Sequence, residues 1–228
     1  FEAAPGVVVV PNPDLGPEYV YSADLGIAKK LGRVLHTELT GFFSYLDNAM
    51  VRREFLYNGE ASILYQGEMS KGYAMDNAGF AVVYGTQVKV ELRPVSNLRI
   101  KSTLTLTGGH DDTGEPLRHV PPVFGSTHII YQNHAFRADL YSVYNGSKTF
   151  DKLAPSERDK PYLYATDADG NPWCPGWFTL NLKMVYTFAN RLEVTTGIEN
   201  ILDLRYRPYS SGIVSPGRNF IAALRIML

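Results

Sequence analysis

Hydrophobic and polar residues alternate one by one along most of this chain. From Phe80 the even positions read Phe80, Val82, Tyr84, Thr86, Val88, Val90 and Leu92, while the odd ones read Ala81, Val83, Gly85, Gln87, Lys89 and Glu91. After a short Pro94 to Asn97 break, Leu98, Ile100, Leu104 and Leu106 oppose Arg99, Lys101, Thr103, Thr105 and Thr107. The rhythm returns in Phe178, Leu180, Leu182, Met184, Tyr186 and Phe188 against Thr179, Asn181, Lys183, Val185 and Thr187. It returns again in Leu192, Val194, Thr196 and Ile198, and in Phe220, Ala222, Leu224, Ile226 and Leu228. A period of two puts alternate side chains on opposite faces, so these are strands with one apolar and one polar face.

The pattern predicts about nine strands, near 19–31, 34–48, 78–93, 98–109, 123–133, 136–146, 177–188, 191–201 and 218–228. Many reach ten residues, longer than a usual globular strand of about five or six and close to the roughly 9–11 of a tilted membrane-crossing strand. The connections alternate in length. Gly32-Arg33, Pro94 to Asn97, Asn133 to Ala135 and Ala189-Asn190 are tight, whereas 49–77, 110–122, 147–176 and 202–217 are long. Tight turns at one end and long loops at the other describe an outer-membrane barrel. A soluble β-sandwich alternates too, with its apolar face inward. Periodicity alone leaves that reading open; strand length and the segregation of loops weigh against it.

Composition narrows the field. The chain has 228 residues, 45% hydrophobic and 12% aromatic, with 15 tyrosines and a net charge of −1. So balanced a charge gives no bulk attraction for nucleic acid. Mean hydropathy is −0.15, and no apolar run approaches the roughly 18 residues of a membrane-crossing helix. A β-barrel escapes that test because its strands average a greasy and a wet face. The lone Cys174 has no partner for an internal disulfide, and no Cys–His metal spacing occurs.

Three segments carry a family resemblance. The stretch GIENILDLRYRPYSSGIVSPGRNF resembles the C-terminal signature of TonB-dependent outer-membrane receptors, through Gly197, Glu199, Asn200, Asp203, Tyr206, Pro216, Gly217, Arg218 and Phe220. PNPDLGPE is similar to the family's N-P-x-L-x-P-E box, through Asn12, Pro13, Leu15, Pro17 and Glu18. PLRHVPPVFG is similar to its P-L-x-x-x-P-P segment, through Pro121 and Pro122.

The resemblance implies an all-β fold in which residues 1–228 form the C-terminal portion of a large transmembrane barrel. Such receptors have about 22 strands around a plug, and the plug is expected outside this sequence. About nine strands would leave two open edges, which hydrocarbon does not tolerate, so a longer polypeptide is expected. The family usually ends on an aromatic residue, where this chain ends on Leu228. The implied function is import of a scarce ligand such as a ferric siderophore, haem or cobalamin. The implied partners are the TonB–ExbB–ExbD complex acting through the plug, a small-molecule or chelate ligand, and outer-membrane lipid. No nucleic-acid partner, cofactor, metal or catalytic residue is expected, and the protein is not expected to be an enzyme. A passive porin and a soluble all-β binding module are the competing readings.

Candidate chemistry lies in the loops. His110-Asp111-Asp112 has the groups of a metal or acid–base site, but flanking glycines make it read as a loop tip. Asp167, Asp169 and Asn171 with Gly170 are spaced like the start of a calcium loop, yet the closing Glu is missing, so turn-forming side chains explain them better. Tyr162, Tyr164, Trp173, Arg158 and Arg207 are the residues that would hold a ligand at the loops. Strand-end aromatics read as interface belts. Glu199, on the polar face, is expected to brace a neighbouring strand or contact the plug.

Overall fold

The computed structural model describes residues 2–4, 6–158, 160–189 and 191–226. In chain order the strands are β1 (Glu2–Ala4), β2 (Val7–Val9), β3 (Tyr19–Leu31), β4 (Leu35–Asp47), β5 (Met50–Glu54), β6 (Ser62–Tyr65), β7 (Glu68–Asn77), β8 (Phe80–Val95) and β9 (Leu98–Asp111). They continue as β10 (Phe124–Gln132), β11 (Phe136–Asn145), β12 (Ala165–Thr166), β13 (Pro172–Trp173), β14 (Trp177–Phe188), β15 (Leu192–Glu199) and β16 (Asn219–Ile226). One α-helical turn, α1 (Pro155–Arg158), and two 3-10 turns, Phe150–Lys152 and Pro161–Leu163, lie between β11 and β12.

Nine strands form one wall in the order β16-β15-β14-β11-β10-β9-β8-β4-β3, antiparallel throughout. They are the nine that periodicity predicts, with ends shifted by a few residues. The expected last positions, Met227 and Leu228, lie outside the described residues, as does Asn190 of the final tight turn.

The register sorts side chains onto two faces. On one, Glu38 pairs with Lys89, Glu91 with Lys101, Lys101 with His128, and Asp139 with Lys183. Ion pairs follow, Lys89–Glu38 at 3.7 Å and Lys101–Glu91 at 3.4 Å, and His128 hydrogen-bonds Asp139 at 3.0 Å. Half-exposed pairs of this kind are worth little in stability; their meaning is that this face is ionic. The other face carries Leu25, Ile27, Leu39, Leu140, Phe220, Leu224 and Ile226, all exposed, with Leu25 at 73% and Phe220 at 72%. Val88, Leu104 and Leu182 share that face and converge on no common core, which removes the sandwich reading. Aromatic pairs mark its two ends. Tyr45 stacks on Phe80 at 5.8 Å near the long loops; Tyr131–Phe136 and Tyr186–Phe188 lie near the tight turns at 6.4 and 4.4 Å.

Three aromatic rings lie over glycines directly opposite them in the ladder: Phe42 over Gly85, Tyr84 over Gly108 and Tyr144 over Gly125. A Cβ at Gly108 would sit 2.9 Å from the Tyr84 ring, and one at Gly125 2.8 Å from the Tyr144 ring. Only glycine admits these approaches.

Residues 49–77 hold structure that alternation does not predict. β5, β6 and β7 join β1 and β2 in a separate five-stranded sheet at the long-loop end, where β2 runs parallel to β7. Among the described residues, two buried apolar clusters also sit there. Val8, Val10 and Ala74 form one, and Ala49, Ala78 and Ala81 the other, with Leu46, Val51 and Leu117 packed on it.

Candidate functional site

Each of the three sequence boxes closes a loop. In the first, Asn12 donates to the Met75 carbonyl at 3.1 Å, and the Gly16 amide donates to Asn77 Oδ1 at 2.7 Å. Asn48 donates to the Pro17 carbonyl at 2.8 Å, and Glu18 accepts from the Met50 amide at 2.7 Å. Pro13 and Leu15 complete the turn between these anchors, so the box ties the entry of β3 to β5 and β7. In the second, Thr107 donates to the Pro121 carbonyl at 2.7 Å, and Lys148 donates to the Val120 carbonyl at 2.7 Å. Pro122 follows, and Leu117 inserts into the Ala49 cluster.

The third box is the tightest. Asn200 is buried at 4% exposure and has a left-handed φ of 49°. Its side chain donates to the carbonyls of Leu204 and Pro216 and accepts the Leu204 amide, while its own amide donates to Asn181. Asp203 accepts the Arg218 amide at 2.7 Å, and Arg218 Nε donates to the Ile201 carbonyl at 3.0 Å. A Cβ at Gly217 would fall 2.6 Å from that Asp203 oxygen. Gly197 and Phe220 lie on the paired strands, on opposite faces. Glu199 accepts from Tyr141 at 3.4 Å and from Asn219 at 3.3 Å, so it braces strands on either side.

A cavity of about 940 Å³ opens at the long-loop end, on the ionic side of the wall. Ala81, Val83 and Thr107 form its wall, and Tyr73 and Met75 of β7 face them. Arg52, Arg53, Arg118 and Arg158 line it together with Glu18, Glu54, Asp111 and Glu115. Arg53 donates to Asp112 at 2.6 Å and to Asp111 at 3.2 Å, bridging the five-stranded sheet to the β9–β10 loop. The Gly79 amide, and then Arg53, hold the Asp112 carboxyl below its usual pKa. Asp111 also accepts from Thr113 and the Glu115 amide. His110-Asp111-Asp112 is thus a brace, as a loop tip requires. Among the described residues no cluster of His, Cys, Asp or Glu is arranged to hold a metal. Asp167 accepts the amides of Asp169 and Asn171, which makes that segment a turn.

The five loop residues expected to hold ligand do not meet in one place. Tyr164 and Arg207 line a second cavity and Arg158 the first. Tyr164 donates to Glu157 at 3.0 Å, Arg158 bonds the carbonyls of Phe150 and Asp151 and pairs with Glu115, and Arg207 donates to the Tyr162 carbonyl. Tyr162 is exposed and Trp173 belongs to the small β12–β13 pair.

Sequence reasoning passed over the group that joins these loops. Glu157, 1% exposed, accepts from Tyr209 at 2.7 Å, from Tyr164 and from the Ala154 amide. Lys148, 7% exposed, donates to the Tyr209 hydroxyl at 2.9 Å. Burial lowers the Lys148 pKa and raises both tyrosine hydroxyls; it pushes the adjacent Cys174 thiol up to about 11. A buried charge survives only with partners, and here they come from three different loops.

A family model described as TonB dependent receptor-like, beta-barrel matches residues 2–201. The chain belongs to that family. Its fold is similar to those of solved receptors: the copper transporter OprC (TM-score 0.72, 14% identity, 94% of this chain and 32% of that one); the siderophore receptor PirA from Acinetobacter baumannii (0.69, 17%, 96% and 33%); and the ferric enterobactin receptor PfeA from Pseudomonas aeruginosa (0.65, 19%, 92% and 31%, as an R480A mutant with enterobactin). The chain therefore spans about a third of the length of these structures. A comparison with curated proteins gives no match.

Proposed function

We propose that residues 1–228 form part of the barrel of an outer-membrane importer for a scarce ligand, with the apolar face against lipid and the ionic face toward a wet, plugged lumen. The carrying observation is the uncovered apolar face, Leu25, Ile27, Leu224 and Ile226 among its exposed residues, backed by an ionic face that holds cross-strand charge pairs. Nothing but hydrocarbon suits a surface of that kind over so many strands. The mouth cavity, with arginines and carboxylates on one lining, is where ligand would enter. The solved relatives include a copper transporter, siderophore receptors and a ferric enterobactin receptor, which supports a metal or its chelate as cargo. Energy would come from TonB, with ExbB and ExbD, acting on a plug. The protein would bind and move its ligand without changing it covalently.

The test uses the full-length gene in a TonB-positive host and its TonB-deleted parent. Radiolabelled ferric chelates, haem, cobalamin and copper are offered one at a time. Uptake of one cargo that needs both the receptor and TonB supports the proposal; uptake unaffected by TonB loss points to a passive pore, and recovery of the protein from the aqueous fraction ends the membrane reading.

A further inference from the structure

The ionic face is not evenly charged. Three adjoining hollows, of about 360, 400 and 310 Å³, follow one another along its tight-turn end, from the β3–β4 turn to β14 and β15. Arg93 is common to the first two, and Gln132, Asn133 and His134 to the last two. Lys30, Arg33, Arg93, Arg99, Arg137 and Lys183 line them, against two carboxylates, Glu91 and Glu193. The mouth cavity at the other end sets four arginines against four carboxylates, and the whole chain has a net charge of −1. The excess of cations is therefore local.

The carboxylates within reach are already shared. Glu91 pairs with Arg93 at 2.6 Å and with Lys101 at 3.4 Å. Asp139 takes Arg137 at 3.8 Å and His128 as well. Among the described residues Lys30, Arg99 and Lys183 form no ion pair, and both lysines are exposed.

The belt crosses seven strands, β3 to β14, roughly 29 Å at about 4.8 Å per spacing. That is broader than a small-molecule ligand. None of its six cations is buried, so no closed anion pocket is built. What fits is a polypeptide surface of opposite charge. The solved relatives are about three times the length of this chain, and a receptor of their size holds ample polypeptide to supply one. We propose that the tight-turn half of the ionic face docks an acidic surface from the part of the polypeptide outside residues 1–228. Its Asp and Glu side chains lie against Lys30, Arg99 and Lys183. The inference rests on the wet interior of the importer reading and gives the charge of what fills it there. Exposed ion pairs are individually weak and are screened by salt. A contact made of many such pairs holds its occupant in place and still lets it be pulled away.

The experiment uses the full-length receptor extracted in detergent. A water-soluble carbodiimide joins lysine amines to carboxylates in contact with them, and mass spectrometry identifies the joined peptides. The Lys101–Glu91 pair, at 3.4 Å, is the internal standard on the same face. Lys30 and Lys183 should join Asp or Glu outside residues 1–228. The second measurement reverses two charges, Arg99→Glu with Lys183→Glu. Trypsin cleavage outside residues 1–228 should then rise about tenfold, with cleavage inside them unchanged. Formation of the standard without any link from Lys30 or Lys183 to the outside segment overturns the proposal, as does unchanged outside cleavage in the double variant. Where the standard does not form, the cleavage result decides alone. Recovery of the receptor from the aqueous fraction sinks the importer reading, whereas either negative result in a membrane-extracted receptor sinks this inference only.

Discussion

Replacing Glu157 by Ala should open the loop end without dissolving the wall. The change strands three donors, the hydroxyls of Tyr164 and Tyr209 and the Ala154 amide. It also leaves the Lys148 charge buried with only the Val120 carbonyl and the Tyr209 hydroxyl. At about 1 kcal/mol for each stranded buried donor the clasp loses about 3 kcal/mol. Each 1.4 kcal/mol is tenfold in an equilibrium, so the open population should rise about a hundredfold. Cys174 reports on it, because it is 4% exposed and its thiol is held protonated up to about pH 11. Labelling with a thiol reagent at pH 8, at a reagent concentration where closing outpaces reaction, proceeds in proportion to the open population and is read by mass spectrometry of the Cys174 peptide. Glu157→Gln keeps one acceptor and should give about a tenfold rise. If Glu157→Ala labels within about twofold of wild type while the barrel stays folded, the clasp contributes little and the reasoning is wrong.

The same clasp should fail in alkali. In the open chain a thiol ionises near pH 8.5 and phenols near 10, while in the clasp Cys174 keeps its proton to about 11 and both phenols are raised further. Above about pH 9 the open form therefore holds fewer protons, and stability falls as pH rises. Lys148, lowered by burial, acts the other way, one group against three; subtilisin nicking of 146–176 should rise between about pH 9 and 11, and a flat profile refutes it. Leu182→Arg, mid-strand on the apolar face, should cost about 2–4 kcal/mol in bilayer insertion, while Val185→Arg on the ionic face should be tolerated; equal outer-membrane yields would reverse the assignment of faces. Arg53→Ala leaves Asp111, 7% exposed, without its cation and should make 112–123 protease-sensitive, at a cost of about 2 kcal/mol. Residues 1–228 expressed alone should not be a monodisperse monomer in water, since β3 and β16 each present an unpaired edge; a sharp monomer peak in light scattering would contradict this.

The wall was legible because its strands pair mostly with neighbours close in sequence and each carries one apolar and one polar face. β8 and β14 announce both faces within a dozen residues. The five-stranded sheet was hidden for the opposite reason. Val7–Val9 pair with Lys71–Tyr73, and local periodicity carries no record of a partner so distant. β7 also buries Ser70, Tyr73 and Ala74 together, which breaks alternation. The boxes were readable as motifs, but their work as loop fasteners was not, because Asn200 and Asp203 act through left-handed backbone and long-range amides. Arg53 meets Asp111, and Glu157 meets Tyr209, across more than fifty residues.

The rings seated over Gly85, Gly108 and Gly125 bear on assembly. A wall with no dry interior has little besides its backbone ladder to oppose sliding. Displacing one strand by a single residue inverts its faces and is rejected by the surrounding solvents; displacing it by two keeps both faces correct and would go unnoticed. At those three stations a two-step slip drives an aromatic ring into a side chain instead of a hollow. They work as keys in a lock, letting the wall find the proper stagger between neighbouring strands.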